Sequence, residues 1–208
     1  MPSLERENGT DKGGLMSEKA DRTYYQITAW VQRMIRGHIS EGAVCIDATM
    51  GNGNDTEFLC RMAGKTGHVL AFDIQQEALL HTRERLEQAI DFCNYELHLD
   101  SHSHMAAYAQ PASVDCITFN LGYLPGGDHA LATRAETTLE ALEQGLNLLK
   151  KNGVMSVCIY SGGDSGFEEK DAVLAWMRAL DPKQFLVLVT EYYNRPKHPP
   201  IPALIVKV

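Results

Sequence analysis

The stretch "AVCIDATMGNGNDTEFLCRMA", Ala43 to Ala63, decides the fold. Its first eight residues, 43–50, form the short apolar run of a buried strand. Gly51 and Gly53 follow, and glycines behind a strand supply the backbone angles of a tight turn. Residues 55–63 then read as a helix, with Asn54 or Asp55 able to cap it. A strand, a glycine turn and a helix in that order open a βαβ unit.

The same rhythm runs outward in both directions. Before it, 24–38 carries Ile27, Trp30, Val31, Met34 and Ile35 at helical spacing. After it come a strand (68–74), a helix (76–90) with Leu79, Leu86 and Ile90 on one face, a strand (95–100), a short helix (105–109) and a strand (114–120). The helix 134–150 turns Leu139, Leu142, Leu146 and Leu149 inward and ends at Gly153; the strand 154–160 and the helix 167–180, with Val173, Leu174 and Met177 inward, follow. Two strands, 184–193 and 203–208, close the chain without a helix between them, joined by the proline-stiffened "NRPKHPPIP". Strands separated by helices require a parallel sheet with right-handed crossovers, and two directly joined strands pair antiparallel. The expected fold is α/β: one Rossmann-like, doubly wound, mostly parallel seven-stranded sheet ending in an antiparallel hairpin. It occupies 23–208, behind a polar, flexible leader at 1–22.

Bulk properties narrow the function. The 208 residues suit one domain with a full core, at 44% hydrophobic and 22% charged residues. No apolar run approaches the ~20 residues that span a bilayer, and the leader lacks the apolar centre of a secretory signal. Five cysteines, with no CxxC pair, fit reduced thiols in a cytoplasmic protein. A net charge of −8 disfavours a broad basic face for nucleic acid, though not a local patch.

In a doubly wound sheet, ligands bind beyond the carboxyl ends of the strands. The loop behind the first strand offers Asp47, Gly51, Asn52, Gly53 and Asn54. It is not a full dinucleotide fingerprint, because Thr56 stands at the third glycine position. Asp47 beside a pyrophosphate would be repelled, whereas a cationic ligand is attracted. That favours S-adenosylmethionine over a nicotinamide cofactor. Asp73 follows Gly51 by 22 residues, a spacing suited to holding ribose hydroxyls, with Gln75 beside it. Behind the third strand, Asp100, Ser101 and His102 face the same ligand. His102 and His104 without a third ligand make a poor metal site, and none is expected.

Behind the fourth strand stands "FNLGYLPGGDH", 119–129. Its "NLGY" parallels the Asn/Asp-Pro-Pro-Tyr/Phe loop of amino-group methyltransferases. Methyl transfer to nitrogen needs a neutral amine whose lone pair is aimed at the methyl. Hydrogen-bond acceptors aim it, and a carboxylate or imidazole takes the proton. Asn120, Tyr123, Asp128 and His129 fit those roles, and Asn120 also borders the cofactor. A structural loop with Asn120 capping a turn is the plain alternative.

"DATMGNGNDT", "FDIQ", "DSH" and "FNLGYLPGGDH", in that order, resemble the small bacterial class I methyltransferases catalogued as rRNA methylases. The resemblance runs from about Tyr24 to Val208 and includes Pro199-Pro200. It departs at Asn54 and Gly163, where the family pattern has His. It implies methylation of the exocyclic amine of 5-aminomethyl-2-thiouridine at the tRNA wobble position, with S-adenosylmethionine as donor. A same-fold enzyme acting on rRNA or a small amine is the alternative. The tRNA anticodon stem-loop would then be the partner, gripped by Arg33, Arg195 and Lys197. Arg36, Arg134 and His198 are further cations near it, and Tyr192 and Tyr193 could stack on unpaired bases. A homodimer would suit an extended stem-loop.

Overall fold

The computed structural model describes residues 25–122, 135–161, 164–196 and 198–208, without side chains at 164 and 165. The helices are α1 (Ile27–Ile35), α2 (Asn54–Ala63), α3 (Gln76–Ala89), α4 (Ala135–Leu148) and α5 (Asp164–Ala179). The strands are β1 (Val44–Asp47), β2 (His68–Asp73), β3 (Tyr95–Leu99), β4 (Val114–Leu121), β5 (Leu149–Ile159), β6 (Phe185–Val189) and β7 (Ile201–Lys207). They form one seven-stranded sheet in the order β3-β2-β1-β4-β5-β7-β6. All neighbours are parallel except β5 with β7 and β6 with β7. The expected mostly parallel sheet with a closing antiparallel pair is the one observed.

Alternation along the central strands builds two cores. Successive strand residues point to opposite faces. Ile46, Leu70, Ile117 and Phe119 therefore meet Leu142 of α4 and Val173 and Met177 of α5 on one face. Cys45, Val69, Cys116 and Val154 meet Val31 of α1, Leu59 of α2 and Leu86 of α3 on the other. Covered on both sides, β1 and β4 carry near-continuous apolar runs, as parallel strands must. Cys45, Cys60, Cys116 and Cys158 are free thiols buried in these layers, and Cys93 is exposed.

Several boundaries differ from the sequence reading. The first helix ends at Ile35 and continues as a 3₁₀ turn, Arg36–His38. The short helix is a 3₁₀ segment, His102–Ala107, starting directly behind β3. Gly153 does not end α4. The helix stops at Leu148 and β5 begins at once, with an irregularity in its pairing to β4 between Val114 and Cys116. Gly153 lies within that strand, where an added Cβ would meet the Val114 and Asp115 carbonyls at 3.1 and 3.2 Å.

Candidate active site

The glycine loop is held from beneath. Asp47 ends β1 with no exposed surface. Its Oδ2 accepts a hydrogen bond from the Thr56 hydroxyl at 2.6 Å, and its Oδ1 one from the Thr49 amide at 3.2 Å. Burial, with the Asp55 and Asp73 carboxylates near by, pushes the Asp47 carboxyl well above the ordinary carboxylate range; its hydrogen bonds from Thr56 and Thr49 only partly offset this. The Asp47 side chain, fully covered, shapes the loop from inside. Gly51 and Gly53 both have positive φ, +50° and +77°. At Gly53 the close neighbour is α3. An added Cβ would lie 2.9 Å from Thr82 Oγ1 and 3.0 Å from its Cα. The Thr82 hydroxyl donates to the Gly51 carbonyl at 3.1 Å. Gly53, not Asn54 or Asp55, is the N-cap residue of α2. Asn52 and Asn54 line an open cleft of about 560 Å³ between α2 and α3, with Glu57, His81, Glu84 and Arg85.

Asp73 ends β2 and braces the same loop. Its Oδ2 accepts from the Gly51 amide and its Oδ1 from the Gln75 amide, both at 3.0 Å. Burial raises its pKa, and these amides pull it partly back. Gln75 is the N-cap residue of α3. Leu99 pairs with Asp73 across the sheet, and Ile74 follows it; both are half exposed, an apolar pair beside a carboxylate. Asp100 is engaged by its own segment: His104 Nδ1 lies 2.7 Å from Oδ1, and the Tyr108 hydroxyl donates to Oδ2 at 2.8 Å. These bonds hold its carboxyl below the usual range. Ser101 caps the 3₁₀ segment by accepting from the Ser103 amide. The His102 ring packs edge-on against Phe119 and hydrogen-bonds the Ala48 backbone. Burial depresses its pKa to about 4.

Asn120, near the end of β4, sits at the centre of a network. Its amide donates to Thr49 Oγ1 at 2.7 Å, which ties β4 to the glycine loop. Its side-chain Nδ2 donates to Asp55 Oδ2 at 2.7 Å. Asp55 Oδ1 accepts from Gln32 Nε2 of α1, also at 2.7 Å. With Nδ2 turned to a carboxylate, Asn120 Oδ1 points away from it and has no hydrogen-bond partner among the described residues. Gly122 then adopts a φ of +144°. A Cβ there would lie 3.2 Å from that of Tyr160.

Tyr123, Asp128, His129, Arg134, Gly163 and Lys197 lie outside the described residues. Of the other predicted cations, Arg33 lies on α1, Arg36 over the Phe58 ring, Arg195 over the Tyr192 ring at 5.8 Å, and the His198 ring meets Phe167 edge-on. The Tyr192 hydroxyl donates to the Tyr25 carbonyl, joining the connector before β7 to the start of α1. Tyr193 is fully exposed. No group of three His, Cys, Asp or Glu among the described residues is placed to hold a metal, and none of their helices is long and apolar enough to cross a membrane. Sequence reasoning missed Gln32, Thr49 and Asp55 as parts of the site. Thr49 and Asp55 sit in the loop motif itself, but nothing in the sequence pairs Asp55 with Asn120, 65 residues on.

The family described as "Putative rRNA methylase" matches residues 69–206. A protein of Arabidopsis thaliana described as "tRNA (mnm(5)s(2)U34)-methyltransferase, chloroplastic" is 37% identical over 170 residues, 77% of this chain. The match takes in 62% of the plant protein's length. A crystal structure of a "putative rRNA-methylase" from Clostridium thermocellum superposes with a TM-score of 0.83 at 42% identity, covering 87% of this chain and 97% of that one. A "putative methyltransferase" from Streptococcus mutans, in complex with SAH, does so with a TM-score of 0.80 at 36% identity, covering 88% and 98%. Fold and sequence thus converge, and the chain belongs to the "Putative rRNA methylase" family of methyltransferases.

Proposed function

We propose that this protein methylates the exocyclic amine of 5-aminomethyl-2-thiouridine at the wobble position of tRNA. The observation that carries the reading is the Asn120 carboxamide. It stands near the carboxyl end of β4 beside the glycine loop, with its carbonyl turned away from Asp55. An acceptor there suits a donor amine, and the plant relative is described as a tRNA (mnm(5)s(2)U34)-methyltransferase.

S-adenosylmethionine, when bound, supplies the electrophilic methyl group. The donor set suits it: Asp73 at the end of β2 for ribose hydroxyls, exposed Ile74 and Leu99 beside it for a purine face, and Gly51 and Gly53 to let the loop come close. Gln75, Asp100, Ser101 and His102 border the same sheet edge, and Asn52 and Asn54 its outer lip. Asp47, beneath the loop, would serve the cofactor by holding that loop in shape. The Asn120 carbonyl would accept one N–H of the neutral amine, which holds the nitrogen lone pair on the methyl axis. Tyr123, Asp128 and His129 would face the nucleotide, one of the last two taking the proton. Arg33, Arg195 and Lys197 would grip the anticodon stem-loop, with Tyr193 stacking on an unpaired base. A homodimer would extend that surface, and a cytoplasmic location suits the substrate.

The test uses purified protein, S-adenosylmethionine and tRNA from a strain whose wobble pathway stops at 5-aminomethyl-2-thiouridine. Mass analysis of the digested nucleosides should reveal 5-methylaminomethyl-2-thiouridine. Cofactor binding without that product would redirect the search to rRNA and small amines.

A further inference from the structure

We infer that Asp55 is the positioning residue of the reacting centre, and that Gln32 holds it in place. The inference rests on the reading of Asn120 as the amine acceptor. A carboxamide has one end that donates and one that accepts, and the two ends are nearly equal in shape. An amine awaiting methylation needs the accepting end. Left alone at a half-buried strand end, Asn120 could present either. Asp55 removes the choice. The Asp55 carboxylate accepts at Oδ2 from the Asn120 NH₂ at 2.7 Å, as it accepts at Oδ1 from Gln32. The carbonyl is then held outward.

Asp55 is itself held from two directions. It lies in the first turn of α2, where the helix dipole favours its charge. Its second oxygen accepts from Gln32 Nε2 at 2.7 Å, a donor brought from α1. Three elements distant in sequence thus converge on one rotamer. The Asn120 backbone is fixed independently, by the Thr49 hydroxyl at 2.7 Å. The whole side chain is pinned, and only Oδ1 is left to a substrate. Neither Asp55 nor Gln32 need touch the nucleotide.

The test is a double-mutant cycle with Asp55→Ala and Asn120→Ala, alone and combined, reading turnover, cofactor affinity and melting temperature. Asp55→Ala should lower kcat by about 100-fold, the scale of a misplaced reacting group, with the S-adenosylmethionine Kd within about threefold. Combined with Asn120→Ala it should add almost nothing, because its effect runs through Asn120. Additive losses, or a loss of cofactor affinity equal to the loss of turnover, would overturn the inference. Gln32→Ala gives a milder version, expected near tenfold, should Asp55→Ala fold poorly. A second readout needs no turnover. In ¹⁵N-labelled protein, the Asn120 side-chain amide protons should exchange with water at least ~10-fold more slowly than in Gln32→Ala or Asp55→Ala. Unprotected protons in the wild type would sink the inference whatever the substrate. Full turnover by Asn120→Ala would instead remove Asn120 as acceptor, and protection of its amide would then describe only a structural bond.

Discussion

His102 is largely covered, neutral and costly to charge. A free imidazole takes up its proton near 6.5, and this one only near 4. Between those values the unfolded chain binds a proton that the folded chain refuses. The stability contributed by neutral His102 is therefore complete above about pH 6.5 and lost as pH falls towards 4, by about 3 kcal/mol in all. Melting curves of wild type and His102→Asn from pH 7 to 4 should converge as the wild type weakens; parallel curves would clear His102 of the effect. Asp47 works in the opposite sense, since burial favours its protonated form and stability drains as pH rises. Asn120→Ala belongs at this scale too. Turnover should fall about 100-fold while calorimetry finds cofactor affinity little changed; matched losses would move Asn120 into the cofactor site. The positions of single residues were legible where a polar residue stands near the end of an apolar run: Asp73 closes β2 and Asn120 lies one residue from the end of β4. Asp47 has the same signature, yet its side chain turns inward, and only the threonines around it reveal that.

At the scale of elements, the junction of α2 and α3 carries the loop. Gly53 combines a positive φ with a Thr82 backbone atom 3.0 Å from where a Cβ would be. Gly53→Ala meets both the left-handed penalty and an overpacked contact, together about 2 to 4 kcal/mol. Urea unfolding should register that loss, with weaker cofactor binding alongside. A variant of wild-type stability would mean that α3 yields easily. The alternation of strands and helices was readable because buried parallel strands are almost wholly apolar and the helices between them are not. Gly153 misled for a physical reason. Glycine past a helix usually ends it in a left-handed turn, but α4 had already run directly into β5, and the glycine relieves crowding at an irregular strand pairing instead.

For the whole molecule, a net charge of −8 limits how RNA can be held. A few cations and stacked rings would do it, so the logarithm of tRNA affinity against that of salt should have a slope no steeper than about −2. Arg195→Ala should flatten it by about 0.7 and weaken binding across RNA sequences alike. A steep slope, untouched by Arg195→Ala, would put the RNA on another face. Strand direction followed from the presence or absence of helices between strands. The order did not: nothing in the sequence says that β7 slips between β5 and β6 rather than lying outside them. That placement has a consequence during synthesis. β6 leaves the ribosome before β7, yet has no place in the sheet until β7 has paired with β5. A nascent chain stalled between Val189 and Ile201 leaves both β5 and β6 without the β7 partner, with Leu186 and Leu188 open to solvent. Translation of the connector is thus the interval in which this protein most needs a chaperone.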